Sequence, residues 1–155
     1  MTIDTDIEID VIKKSDYHAV LSLFAYLGEN YTCAPEDAKT QAVFDLYVVG
    51  QQKRGFVARA EGNVCGVILF DVTPLLGRGF LQLRGDGLAV DPAYRKRGIG
   101  SALLERVFSE CAKLGAANYL VKASQPRVIE QYRKLAGLVE RGVYFYHTPN
   151  QESNA

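Results

Sequence analysis

The sequence predicts an α/β domain whose first half is mostly antiparallel sheet and whose second half holds one helical crossover. Three observations carry this. Two β-rich runs meet across a glycine turn in GFVARAEGNVCGVILFDV, a third run, Phe80–Val90, follows them, and an amphipathic stretch then separates Val90 from a further strand near Tyr119. The full order is strand, two helices, three strands, helix, strand, helix, strand, with no internal repeat and no linker.

Taken in order, Ile7, Ile9 and Val11 alternate with Glu8, Asp10 and Ile12 as in a half-buried strand. Ser15 reads as an N-cap, and from Asp16 to about Glu29 the residues Ala19, Val20, Leu23, Phe24 and Leu27 recur at helical spacing until Gly28. A second helix is expected over Glu36–Val49, with Ala38, Ala42, Val43, Leu46 and Tyr47 on one face and Gly50 as its stop. The runs Phe56–Ala60 and Val64–Val72 form a hairpin across Glu61-Gly62-Asn63, and Pro74, Gly77 and Gly79 punctuate the loop beyond it. Gly85 and Gly87 fall inside the strand Phe80–Val90, where glycines mark a bulge or a close approach to the backbone. Ala102, Leu103, Val107, Cys111 and Leu114 mark a helix ended by Gly115, and Asn118–Lys122 is a strand. Gln125–Ala136 is helical, Val143–Tyr146 is a last strand, and the tail from Pro149 is polar.

Composition narrows the function. With 155 residues, 48% of them apolar, the chain can bury the core of one ordinary domain. Lysine plus arginine (18) equals aspartate plus glutamate (18), so no global charge steers the protein toward nucleic acid or an anionic membrane, and any basic site is local. Cys33, Cys65 and Cys111 follow neither a zinc nor a disulfide spacing; they read as reduced thiols of a cytoplasmic protein, with no metal expected. Neither the acidic N-terminus nor any apolar run near the ~20 residues of a bilayer span indicates secretion or membrane insertion.

The local basic feature is VDPAYRKRGIGSALLERVF, with Arg95, Lys96, Arg97, Gly98 and Gly100 in one turn between strand and helix. A helix N-terminus presents unpaired N–H groups and partial positive charge, so with two glycines clearing the backbone and three cations beside it, the turn reads as a pyrophosphate cradle. The alternative is a solvated turn. A P-loop is excluded because no Gly-Lys-Ser/Thr follows, and a Rossmann loop because the third glycine is missing.

The stretch LAVDPAYRKRGIGSALL resembles the GCN5-related N-acetyltransferase (GNAT) family, whose acetyl-CoA loop is Arg/Gln-x-x-Gly-x-Gly/Ala directly after a strand. The resemblance extends over the element order, roughly Ile7 to Tyr146. It implies a mixed α/β (α+β) fold: a mostly antiparallel, twisted sheet of six to seven strands with helices on both faces, forming one domain over residues 1–148; the polar composition of 149–155 predicts a disordered tail. It implies acetyl-CoA as co-substrate, with its pyrophosphate held at Arg95, Lys96, Arg97, Gly98, Ile99, Gly100, Ser101 and Ala102. The pantetheine arm pairs with Leu88, Ala89 and Val90, and Ser124 stands where relatives place an asparagine that touches it. A bulge at Gly85 and Gly87 would splay the strand and open a cleft for the thioester, with a backbone N–H near Leu88 or Ala89 for the oxyanion.

Acetyl transfer to an amine needs a base for an ammonium of pKa about 10.4 and an acid for the leaving thiolate. Asp86 is the first candidate base, its other reading being a cap on a glycine turn; Asp71, Glu29 and His18 follow it. Tyr132, in VIEQYRKLAGL, resembles the tyrosine that meets the CoA sulfur in this family. Gln131 and Leu138 replace the family's aromatic residues there, and Gly137 comes one residue late. Tyr26, Glu29, Tyr31, Asp37 and Tyr47 are candidates for an amine pocket. The reading is an N-acetyltransferase acting by direct attack in a ternary complex on a small-molecule or protein amine. Its rival is an acyl-CoA-binding regulatory or interaction module without turnover. Nucleic acid is not an expected partner, and Tyr144-Phe145-Tyr146 offers an edge for a homodimer.

Overall fold

The computed structural model describes residues 6–27, 34–123, 126–135 and 137–141. The chain divides into two units, Met1–Lys122 and Ala123–Ala155. The first holds β1 (Ile7–Val11), α1 (Tyr17–Phe24), α2 (Ala38–Val49), β2 (Lys53–Ala60), β3 (Asn63–Leu75), β4 (Phe80–Val90), α3 (Ile99–Leu114) and β5 (Asn118–Leu120); the second holds α4 (Pro126–Lys134). The sheet runs β1-β2-β3-β4-β5, antiparallel through β4, with β5 parallel to β4 across the α3 crossover. The mixed, mostly antiparallel architecture is the expected one. It has five strands among the described residues rather than six or seven; the expected strand Val143–Tyr146 and the tail lie outside them.

The β2–β3 hairpin closes on Glu61 (φ 51°) and Gly62 (φ 81°), the two positive φ angles of a tight two-residue turn, so Asn63 already pairs with Ala60. The first helix differs from expectation at both ends. Ser15 lies inside a 3₁₀ turn, Lys14–Asp16, and it is the Asp16 carboxylate that accepts the Lys13 N–H at 2.8 Å and also accepts from Nη1 and Nη2 of Arg59, each at 2.8 Å. The α-helix stops at Phe24 and a 3₁₀ turn, Ala25–Leu27, continues it.

The face of α2 is the clearest correction. Ala38, Ala42, Val43 and Leu46 are exposed, while Phe44 and Tyr47 are buried. Apolar residues surround this helix, so periodicity could not choose a face; the two aromatic rings, with the most area to hide, chose it.

The sheet is covered on both sides. Against one face, Tyr17, Val20, Leu23 and Phe24 of α1 and Phe44 and Tyr47 of α2 form a cluster with Val57, Val67, Leu69 and Ala89. Against the other, α3 buries Ile99, Leu103, Leu104 and Val107. Close packing there depends on Gly66, where a Cβ would meet Ile99 Cγ2 at 2.8 Å and Leu103 Cδ1 at 3.2 Å. Each such fully buried aliphatic side chain contributes roughly 1.5–3 kcal/mol over its exposed state. The same face carries an ion pair between Arg54 and the buried Glu110 at 2.7 Å. No helix among the described residues is long and apolar enough to cross a membrane.

Candidate functional site

The site begins with an interruption in β4. Phe70 pairs with Gly85 and Leu69 with Gly87, which leaves Asp86 as the extra residue of a β-bulge. The bulge expected at Gly85 and Gly87 is present, and Asp86, between them, is the bulged residue itself. On its other edge β4 pairs with β5 only from Gln82 to Arg84, so from Gly85 to Val90 that edge has no strand partner among the described residues. A slot therefore opens between the two strands beyond the Arg84–Leu120 pair.

Both glycines are needed for close approach, by rings of this chain. A Cβ on Gly85 would collide with the hydroxyl of Tyr119 and lie 3.0 Å from its Cζ, and one on Gly87 would stand 2.8 Å from Phe24 Cε1.

The bulge turns the Asp86 carboxylate toward α2, where its Oδ2 accepts from Tyr47 Oη at 2.5 Å and from Lys53 Nζ at 2.9 Å. Lys53 also lies 3.6 Å from Asp71 Oδ1, its neighbour across β2 and β3, and 5.6 Å from the centre of the Tyr47 ring. Burial pushes the Tyr47 hydroxyl far above its ordinary pKa of 10.0, helped by the hydrogen bond to Asp86 and the charges of Asp86 and Asp71. Burial pulls Lys53 down, but the bond to Asp86 and the two carboxylate charges outweigh it and hold the ammonium above its usual 10.5. Tyr47 and Lys53 both use Oδ2, leaving Asp86 Oδ1 directed at neither.

At the far end of β4 the Asp91 side chain caps a 3₁₀ turn, Pro92–Tyr94, and the chain enters α3 through two left-handed residues, Lys96 (φ 63°) and Gly98 (φ 77°). Gly98 is the N-cap, no side chain caps it, and the first helical bond is Ala102 N–H to Gly98 carbonyl at 3.0 Å. The N–H groups from Gly98 to Ser101 thus precede any intrahelical partner. A Cβ on Gly100 would meet nothing within 4 Å, so the helix start is open on that side. Arg95, Lys96 and Arg97 are exposed, with the Arg97 guanidinium 5.2 Å from the centre of the Tyr94 ring. These features fit a bound pyrophosphate.

Not every expected residue offers what the sequence assigned. The Ile99 side chain is 2% exposed and belongs to the core, so only its N–H faces the cradle, and the Ala102 N–H is already spent on Gly98. Ala89 is likewise a core side chain, leaving backbone as its contribution, while Leu88 and Val90 are half-buried. Asp37 caps α2 through the Lys39 N–H at 3.1 Å, which accounts for it without a pocket. His18 is exposed on α1, edge-on to Tyr17. Tyr26 is exposed, and Glu29, Tyr31 and Ser124 lie outside the described residues.

Tyr132 is half-buried on α4, in the second unit. There Gly137 takes φ 87° and Arg133 grips Glu140 through two bonds of 2.9 and 3.0 Å. Three residues of the site escaped the sequence reading. Lys53 would have followed from extending the alternation Val57, Gly55, Lys53 to the start of β2; Phe24 and Tyr119 were read as core and strand, and their approach to glycines is a tertiary fact. No group of three or more His, Cys, Asp or Glu side chains that could hold a metal occurs among the described residues.

Residues 20–138 match the acetyltransferase (GNAT) family. No curated protein sequence matches the chain. Among solved structures, a ribosomal-protein-alanine N-acetyltransferase from Brucella melitensis biovar Abortus 2308 is 19% identical over 92% of this chain and 99% of its own, with a TM-score of 0.70. The aminoglycoside acetyltransferase meta-AAC0020 from an uncultured soil metagenomic sample, in complex with sisomicin, is 19% identical over 95% and 99%, at 0.75. AAC(6')-Iy in complex with the bisubstrate analog CoA-S-monomethyl-acetylneamine is 19% identical over 92% and 97%, at 0.74. At these identities the likeness shows the fold. The family match spans more than half of the sequence, and the chain belongs to the GNAT family of acetyltransferases.

Proposed function

We propose that the protein is an acetyl-CoA-dependent N-acetyltransferase that moves the acetyl group to an amine acceptor by direct attack in a ternary complex. The observation that carries this is the bulged, one-sided stretch of β4 leading to the glycine-opened start of α3, with an acidic side chain on the bulge. The similar proteins named for aminoglycoside and ribosomal-protein-alanine acetylation support an amine as acceptor.

When bound, acetyl-CoA supplies an acyl group already activated as a thioester. Backbone amides from Arg97 to Ser101 hold its pyrophosphate, with Arg95 and Lys96 adding charge, and the free edge of Leu88, Ala89 and Val90 receives the pantetheine arm. A backbone N–H at Leu88 or Ala89 stabilises the negative charge developing on the carbonyl oxygen. Lys53 and Tyr47 fix Asp86 through Oδ2, so Oδ1 accepts a proton from the acceptor ammonium, directly or through water. Tyr132 gives its proton to the departing thiolate and regains one as the attacking nitrogen sheds its second proton, directly or through water. The new C–N bond replaces the C–S bond.

Thiol release from acetyl-CoA with a panel of an aminoglycoside, an amino sugar and a peptide beginning with alanine tests this. Turnover with one amine class, lost in Asp86→Asn, supports it. The tight Lys53–Asp86 pair favours one rival, an acyl-CoA-binding module without turnover, and that rival prevails if acetyl-CoA binds but no amine releases thiol.

A further inference from the structure

The slot between β4 and β5 has a closed end, and its walls there are aromatic. Strand pairing ends at Arg84 and Leu120. Immediately beyond, the hydroxyl end of Tyr119 occupies the space a Cβ would take on Gly85, with Val121 Cγ2 3.1 Å from the same point. On the opposite face of the sheet, Phe24 Cε1 lies 2.8 Å from the corresponding point on Gly87. The two glycines that thin the strand are therefore each covered by a ring.

The direction of approach to that end follows from where the cradle stands. Ile99, the first residue of α3, packs on Gly66, and Gly66 pairs with Val90, so the helix start is at the Val90 end of β4. An arm held there and running along the free edge passes Val90, Ala89 and Leu88 at about 3.3 Å per residue. Its reactive end then points at Gly87 and Gly85. Any carbon beyond the carbonyl must fit between Tyr119, Phe24 and the Arg84–Leu120 closure.

We infer that Tyr119 and Phe24 are an acyl-length stop, which admits a two-carbon acyl group and rejects a four-carbon one. The inference rests on the acyl-CoA reading above and adds which acyl donors the site takes. A close-packed site gives little for added volume, and one methylene changes preference by about tenfold or more.

The test is calorimetric titration of the full chain with CoA, acetyl-CoA, propionyl-CoA and butyryl-CoA, repeated for Tyr119→Ala and Tyr119→Phe. The second variant removes only the hydroxyl and keeps the ring on Phe108, 6.2 Å between centres, so it retains the fold if the first does not. The expected result is butyryl-CoA binding at least tenfold more weakly than acetyl-CoA to the parent. Tyr119→Phe should narrow the gap for propionyl-CoA, and a folded Tyr119→Ala the gap for butyryl-CoA, to within about threefold. Equal binding of acetyl-CoA and butyryl-CoA by the parent, or an unchanged gap in Tyr119→Phe, overturns the stop while leaving the donor reading intact. Failure of CoA itself to bind the parent overturns both.

Discussion

Lys53 and Asp86 come from strands that are not neighbours, yet the Lys53 ammonium lies 2.9 Å from Asp86 Oδ2. The bulge makes this contact, because it adds a residue whose carboxylate turns toward the start of β2. Both side chains are about one-third exposed, so the pair contributes at most about 1 kcal/mol of stability; its larger effect is to hold one carboxylate oxygen and present the other. The ammonium is held above its usual 10.5, so its contribution is complete below that pH and is lost as pH rises above it. Lys53→Met should therefore melt slightly lower than the parent at pH 7, with the difference shrinking above pH 10.5, as measured by thermal denaturation across that range.

Tyr47 has the same sign for a different reason. Its hydroxyl is buried against a carboxylate and keeps its proton well past the ordinary tyrosine value of 10.0. Ultraviolet titration of the folded protein up to about pH 11 should give the same tyrosinate signal for Tyr47→Phe as for the parent. The variant should cost about 1 kcal/mol for the lost hydrogen bond. A missing tyrosinate in the variant would show that Tyr47 titrates normally.

Asp86→Asn keeps the shape of the bulge and removes the charge. Turnover should fall by about 10²–10⁴ while acetyl-CoA affinity stays within about threefold, because the proposed mechanism gives Asp86 to the acceptor rather than the cradle. Steady-state rates alongside titration separate the two effects; equal loss in both would assign Asp86 to donor binding.

The glycines of the loop and the bulge should part company on substitution. Gly98→Ala forces a side chain into φ 77° and should destabilise by about 1–2 kcal/mol. Gly87→Ala drives a Cβ against Phe24 at 2.8 Å and should cost about 1–3 kcal/mol. Gly100→Ala meets nothing within 4 Å and lies inside the first turn of α3, so it should hold or raise stability by about 0.5–1 kcal/mol. Denaturant unfolding of the three variants ranks them directly.

Much of this was legible in the residues. Glu61-Gly62 announced a hairpin, Gly85 and Gly87 announced a bulge, and Gly98 announced a helix start, because each reports a backbone demand that few other residues meet. Partnerships were less legible. Lys53 stands 33 residues before Asp86, and nothing local to either says that they meet. The faces of α2 could not be told apart while both were apolar, and Asp16 rather than Ser15 set the first helix because Arg59, on β2, holds it in place. The glycines of β4 left open what comes close to them; the structure shows Tyr119 and Phe24 there.

The central claim is that the start of α3 is a pyrophosphate cradle, and calorimetric titration of acetyl-CoA into the parent and into Gly100→Asp tests it most directly. The account predicts micromolar binding by the parent and none by a variant that melts like the parent, since the added carboxylate would occupy the open side of the helix start with like charge. Equal binding by both, or none by the parent, would contradict it and leave Arg95, Lys96 and Arg97 as a solvated turn.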